Sequence, residues 1–476
     1  GCGILVKQHW SLLMLIICHG VILLYKIRLQ RTPRALGAAL FLGLLAGCTD
    51  GNPFLAAPQS NVEGAAEILS EEVLVEIRDV PVVANISDTY EPSLVADSPL
   101  GKASREAELK ALSRSSAVFS VSAAEGDAAA IRAERYPKIL PVAGVSVSGD
   151  RSVGLSVEQE IWNFGNRRAR LDRTETQILV ARVEQWIELN EAVFDALDAY
   201  LSYQRSQERL TAFTSLDRDV RDLAATVEGR FSGGVAGRGE TLEISLILQE
   251  VARDILDEKS EQAAAALRYR SLVGPNATSL RSISSMKLLN NCRPGASAPE
   301  PPEALRGRLI VQQALDDQTI LQSRRFPKIV GTVDTRHSGG SWDTSAGLGV
   351  DASELLGWDR RARLEASEQR LQGAQQEYRN ILEVVKLDVD QLRAEYSRQQ
   401  ASLSEIAGLQ KSARENEALF EDLFESGNAT LEEGLQLSRE SNALQRTLSD
   451  QRIDLLRTCL RIGRIQGTLI IGGPPK

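Results

Sequence analysis

Arg167-Arg168-Ala169-Arg170-Leu171 returns 193 residues on (360 − 167) as Arg360-Arg361-Ala362-Arg363-Leu364. At that same offset Phe231-x-x-Gly234 returns as Phe424-x-x-Gly427, and Glu240-x-Leu242 as Glu433-x-Leu435. Upstream, Tyr136-Pro137-Lys138-Ile139 matches Phe326-Pro327-Lys328-Ile329 at an offset of 190 (327 − 137), the slip falling where a hairpin loop differs in length. Landmarks kept in order at nearly one spacing mean that the chain is two copies of one unit.

Each unit reads alike. A helical stretch, about 123–135 and 303–325, ends at a proline, which lacks an amide donor and pushes its predecessor out of the α region. A strand pair follows. In Ser152-Val153-Gly154-Leu155-Ser156-Val157-Glu158 every second residue is apolar, and Ile139, Pro141, Ala143, Val145 and Val147 form the apolar row before it. In the second unit Ala346, Leu348, Val350 and Ala352 alternate with Ser345, Gly347, Gly349 and Asp351. Gly149-Asp150-Arg151 and His337-Ser338-Gly339-Gly340-Ser341 read as the turns. Proline-free helical segments over about 166–229 and 359–426 then run roughly 90–100 Å at 1.5 Å per residue. Each returns, after Ser232-Gly233-Gly234 or Ser426-Gly427-Asn428, into a second helix of about 35–40 residues. Helices so long require lateral partners.

Four strands with one greasy and one wet face fit the wall of a membrane β-barrel, yet four cannot close one. Open edges would leave backbone groups unsatisfied in hydrocarbon at several kcal/mol each. The chain is therefore expected to supply one sector of a shared barrel. Tyr136, Trp162, Phe164, Phe326 and Trp358 fall at the strand ends nearest the helices, as an interfacial girdle requires.

The N-terminus reads as an address. Arg28, Arg31 and Arg34 flank an apolar run from Ala35 to Ala46, too short to span a bilayer comfortably. It closes on Leu45-Ala46-Gly47-Cys48, which resembles a bacterial lipobox whose Cys48 thiol accepts a diacylglycerol; Thr49 in place of Asp favours the outer membrane. Residues 1–33, with a second apolar run from Leu12 to Leu24, read as sequence upstream of the true start, the alternative being a genuine second membrane segment. The domains expected are 1–47, signal and upstream segment; 48–122, lipidated cysteine and a Pro-, Ala-, Ser- and acid-rich tether; 123–273, the first repeat with hairpin 138–163 and helical hairpin 166–273; 274–302, a linker; and 303–470, the second repeat with hairpin 328–355 and helical hairpin 359–470.

Composition excludes more than it assigns. Among 476 residues aromatics are 5% and charged residues 25%, a mix suited to extended amphipathic helices. A net charge of −9 argues against a nucleic-acid partner. Of the three histidines only His337 lies beyond the address segment, in an expected loop, so neither a catalytic triad nor a His-ligated metal site is readable. No cysteines stand in a CxxC spacing. Cys292 and Cys459 are free to pair across the fold or not.

The order helix, Pro, strand hairpin, Arg-rich helix start, long helix, Phe-x-x-Gly turn and returning helix, run twice from roughly Glu125 to Gly467, resembles the TolC-type outer membrane factors. Arg230-Phe231-Ser232-Gly233-Gly234 with Glu240-Thr241-Leu242-Glu243, and Leu423-Phe424-Glu425-Ser426-Gly427 with Glu433-Gly434-Leu435, are similar to the family's hairpin-tip pattern. The resemblance implies an α+β membrane protein with two internal repeats: a homotrimer whose twelve-stranded barrel in outer-membrane lipid continues into a periplasmic barrel of twelve helices. It implies a passive exit duct for drug efflux or type I secretion, not an enzyme, with no cofactor, working with a periplasmic adaptor and an inner-membrane pump. It also implies that carboxylates near the returning turns narrow the tunnel as an acidic ring, which favours cations.

Glu240 and Glu433 each stand six residues after the tip glycines Gly234 and Gly427, and Glu243 shares a helix face with Glu240. Gln436 takes the place of Glu243 in the second unit, weakening its ring. Phe424 replaces a frequent tyrosine of the family and joins the gate candidates. Arg167, Arg168, Arg360 and Arg361, at the helix starts, suit lipid phosphates or helix–helix charge pairing equally. The competing reading is a periplasm-spanning coiled-coil lipoprotein, which has no use for two amphipathic hairpins.

Overall fold

The computed structural model describes residues 90–474 apart from 146–150, 234–236, 276, 278, 279, 281, 282, 297–299, 353–358, 426 and 427. The lipobox cysteine Cys48, the address segment, Gly234, Gly427 and Trp358 lie outside the described residues.

The duplication is plain in the element order. Helix α1 (Pro99–Leu112) precedes the first unit: α2 (Ala117–Ala133), β1 (Lys138–Val145), β2 (Arg151–Trp162), α3 (Asn166–Ser232) and α4 (Arg238–Val273). After a short helix α5 (Ser285–Leu288), the second unit repeats it: α6 (Pro302–Ser323), β3 (Lys328–Ser338), β4 (Ser341–Asp351), α7 (Arg360–Glu425) and α8 (Leu431–Gln466). The long helices have 67 and 66 residues and both returning helices 36, so each hairpin reaches about 100 Å.

The strands form one antiparallel sheet in the order β1-β2-β3-β4. Its register puts Ala143, Pro141 and Ile139 of β1 opposite Val153, Leu155 and Val157 of β2, and Val157 in turn beside Val333 of β3 and Ala346 of β4, with Leu348 and Val350 in the next rows. Directly paired residues point to the same face, so this face is mainly apolar, with Arg151 opposite Val145, and Gln159, Thr335, Thr344 and His337, as its polar members. The other carries Ser152, Ser156, Glu158, Thr332, Asp334, Arg336, Asp343 and Ser345, with Leu140, Val142 and Val330 as apolar exceptions. A register shift between Glu160 and Trp162 brings the indole back to the apolar face at the helix end of β2.

The helices follow the same lateral order as the strands. Beside the sheet α2 packs on α3, α3 on α6 and α6 on α7. Farther away α4 packs on α3, α3 on α8 and α8 on α7. The edges of the molecule therefore coincide: β1, α2 and α4 on one side, where α1 also packs on α3 and α4, and β4 and α7 on the other. Those edges are unpaired and greasy. All of β4 is exposed, as are Leu242, Leu246, Leu256 and Leu267 of α4 and Leu382, Leu387, Leu409, Leu419 and Leu423 of α7.

Three buried clusters hold the sector together. One joins the chain ends and the inter-repeat linker to the middle of the long helices through Leu100, Leu197, Tyr200, Tyr269, Leu288, Ile453 and Leu460. There Leu94 bridges Cys292, Ser93 N donates to the Thr468 carbonyl oxygen at 2.8 Å, and Asn190 clamps both Arg464 and Leu469. Cys292 and Cys459 form a disulfide that ties the linker to α8. Helix α8 ends at Gly467 with φ of 72°, where a Cβ would collide with Pro302 and Trp186, so only glycine serves as this cap. A second cluster, around Trp186, Leu189, Leu305 and Leu309, lies toward the sheet, and a third lies at the hairpin tips.

Three expectations need correction. The tether read over 48–122 ends earlier: from Leu94 the chain is packed, and residues 99–112 and 117–133 are helical. Ser98 caps α1 by accepting from Gly101 N, with Pro99 at the first helical position. Accordingly, the helix expected at 123–135 starts at Ala117. The loop read at 337–341 is narrower. His337 is a strand residue paired with Trp342, and the turn is Gly339-Gly340 alone, with φ of 59° and 88°; two left-handed residues give the tight hairpin whose twist matches its strands.

Candidate functional site

The aromatic row gathers where sheet meets helix. Trp162 and Phe164 meet edge to face at 6.1 Å, and Phe164 stacks on Phe326 at 5.0 Å. Tyr136 lies beneath the Arg135 guanidinium at 4.8 Å. All four side chains are exposed. Phe164 has φ of 50° and Gly165 of 85°. A bulky residue in that region is strained, and the stack on Phe326 helps to hold the kink that turns β2 into α3. Asn166 donates to Ser323 across the same junction at 2.9 Å, so the two repeats are bolted together there. At the far end of the sheet the Trp342 ring lies tilted against His337 at 5.0 Å, a second aromatic site that the sequence reading did not single out.

The hairpin tips form the other candidate. Val220 and Val227 of α3, Ile244 and Ile247 of α4, Phe420 and Phe424 of α7, and Leu431 and Leu435 of α8 make one buried cluster. Phe424, expected at the tunnel mouth, is only 4% exposed. It stacks on Phe420 at 5.5 Å and is covered by the Arg230 guanidinium at 4.2 Å. Arg230 also donates to the Phe424 carbonyl oxygen. The two repeats are thus latched by residues of their own tip motifs, and Arg230 is the contributor that spacing alone did not reveal.

The three carboxylates divide into two kinds. Glu433 is turned back on its own helix: it accepts from Thr430 N at 2.9 Å while Thr430 Oγ1 accepts from Glu433 N at 3.3 Å. That reciprocal pair is a capping box. The bonds from the Thr430 backbone and hydroxyl hold its carboxyl below the usual range. Glu240 and Glu243 are exposed in the first turns of α4, beyond the end of the buried Ile244–Ile247–Val251 stripe. Neither carboxylate takes part in a hydrogen bond or ion pair among the described residues. The structure does not join Glu433 to either within one chain.

Among the described residues no cluster of three His, Cys, Asp or Glu side chains has metal-site geometry. No described helix is long and apolar enough to cross a membrane.

Residues 105–275, from within α1 to the end of α4, match the family model described as outer membrane efflux protein. Over that stretch the chain is similar to the outer membrane efflux protein family. The matched stretch includes both β1–β2 and the α3–α4 hairpin, and the second repeat has the same element order. The fold is TolC-like, as solved structures agree. An outer membrane protein VceC from Vibrio cholerae superposes with a TM-score of 0.64 at 15% identity, covering 78% of this chain and 96% of that one. The open-state MtrE outer membrane channel of Neisseria gonorrhoeae gives 0.65 at 14% identity, covering 84% and 96%. A membrane protein from Pseudomonas aeruginosa gives 0.67 at 20%, covering 79% and 91%. No curated protein sequence matches the chain.

Proposed function

We propose that this chain is an outer membrane efflux protein, one third of a passive exit duct across the outer membrane. The observation that carries the reading is the coincidence of edges. The sheet is open at β1 and β4, the helical layer is open at α2, α4 and α7, and each is open on the same two sides. An unpaired strand edge is not tolerated in hydrocarbon, so copies must join edge to edge. Three copies give twelve strands, a number compatible with a water-filled barrel whose wall alternates apolar-out and polar-in. The helices then continue the same bore through the periplasm.

In this reading the aromatic row sits at the periplasmic surface of the outer membrane, with Arg167, Arg168, Arg360 and Arg361 just beyond it, within reach of lipid phosphates. Cys48 carries the lipid anchor. The hairpin tips meet a periplasmic adaptor and an inner-membrane pump, which supplies the energy and chooses the cargo. Glu240 and Glu243 ring the entrance, whereas Glu433 acts mainly as a helix cap. No bond chemistry and no cofactor are involved.

Reconstitution into planar lipid bilayers tests this. The full chain is expected to give a stepwise ionic conductance that prefers cations. A bilayer that stays insulating after verified insertion of folded protein overturns the reading.

A further inference from the structure

A recess of about 570 Å³ lies among α2, α3, α6 and α7, a few turns from the aromatic row. Ile131 on one edge helix and Arg370 on the opposite edge helix both border it, although α3 and α6 stand between them. Two edges of a layer border one recess only where the layer curves around it, so the recess lies on the concave side. Its charges are lopsided: Arg170, Arg173, Arg324 and Arg370 against Asp317. Arg170 forms a bidentate pair with Glu134 at 2.7 and 2.8 Å, and Arg173 Nε holds Asp317 at 2.9 Å. The Nη1 of Arg173 is nevertheless buried with no hydrogen-bond partner, and Arg370 is exposed at the rim. Between the guanidinium groups the wall is apolar, made by Ile310, Ile320 and Leu321.

We propose that this recess binds a drug-sized amphipathic anion, its oxyanion head on Arg173 and Arg370 and its apolar body on Ile310, Ile320 and Leu321. Guanidinium forks suit planar or tetrahedral oxyanions, and a buried donor without a partner gains most from acquiring one. The volume is that of a small-molecule site; a two-chain phospholipid is too large to enter whole. The shared chemistry, an oxyanion on an apolar body, also belongs to lipid headgroups, and the test separates the two sources.

The full-length protein in phosphatidylcholine nanodiscs is titrated calorimetrically with naphthalene-2-sulfonate and with the uncharged naphthalene-2-sulfonamide. The sulfonate is expected to bind at least about tenfold more tightly. Arg370→Glu, at an exposed position, is expected to remove that preference, and Arg173→Gln to weaken it, while Arg393→Glu, exposed on the same helix and off the recess, leaves it intact. Equal affinities for the two probes, or an unaltered preference in Arg370→Glu, overturn the proposal. So does a loss of sulfonate binding on exchange into phosphatidylglycerol nanodiscs, which makes an anionic lipid headgroup the occupant. Binding is read here without export, so this result stands apart from that of the duct reading.

Discussion

The guanidinium of Arg230 lies 4.2 Å from the centre of the Phe424 ring and donates to the same residue's carbonyl oxygen. One residue comes from the tip of the first repeat, the other from the tip of the second, 194 positions away. The contact makes the two hairpins behave as one tip. Arg230→Ala loses a cation–π contact and a hydrogen bond, together about 1–2 kcal/mol. Amide exchange at Phe424 and at residues 227–231 is expected to quicken by a matching factor, with the sheet untouched. Unchanged protection at the tips contradicts the latch.

The Cys292–Cys459 disulfide closes a separation of 167 residues and sits in the middle cluster beside Leu288 and Leu456. Long closed loops of this kind contribute about 2–5 kcal/mol. A double Cys→Ser variant, or the parent under reducing conditions, is expected to melt at a lower temperature, and reductant should leave the variant unmoved. A parent protein indifferent to reductant in thermal melts contradicts that contribution.

Much of this architecture is legible in the sequence, for a physical reason. Duplication gives two independent readings of each element, so Arg167-Arg168-Ala169-Arg170-Leu171 and its copy place both long helices within a few residues of their observed starts. Strand alternation from Ser152 to Glu158 survives because Val153, Leu155 and Val157 share one face of the sheet and Ser152, Ser156 and Glu158 the other. The tip was harder. Phe424 and Glu433 are given by motif spacing, but whether a side chain points outward or folds back depends on neighbours from the other repeat, Arg230 above all, and on the capping geometry of Thr430. Helix α1 was hidden because its sequence shares the composition of the tether before it; only Ser98-Pro99 announces the start. The free or paired state of Cys292 depended on where the linker lies, and no periodicity encodes that.

Glu433 and the pair Glu240 and Glu243 should separate in experiment. The Glu433 carboxyl is held low by the Thr430 backbone amide and hydroxyl. A depressed folded value means its contribution is complete above the ordinary carboxylate range and is lost as pH falls through the folded value. Glu433→Ala is therefore expected to speed exchange of the Thr430–Gly434 amides at neutral pH, a difference that fades in acid. Glu240→Ala with Glu243→Ala is expected to leave those amides alone and to weaken cation preference in single-channel recordings. A Glu433→Ala protein with altered conductance and intact protection reverses the assignment.

Glu258 on α4 is 6% exposed and its Oε1 has no partner. Burial pushes its carboxyl up, against the lowering effect of Arg209 and a hydrogen bond from Ser206. A raised folded value means the folded state binds more protons, so stability falls as pH rises from the ordinary carboxylate range through the folded value. Glu258→Gln, an imitation of the protonated form, is expected to melt above the parent at pH 8 and alongside it at pH 4. A variant less stable than the parent at pH 8 shows that the Arg209 attraction outweighs the burial.

Most directly, native mass spectrometry of the detergent-solubilised full chain reads how many copies close the wall. Edges open on the same two sides predict a species of three subunits that dissociates only when the sheet is disrupted. A monomer that keeps both β-hairpins folded, with β1 and β4 still unpaired, contradicts the account.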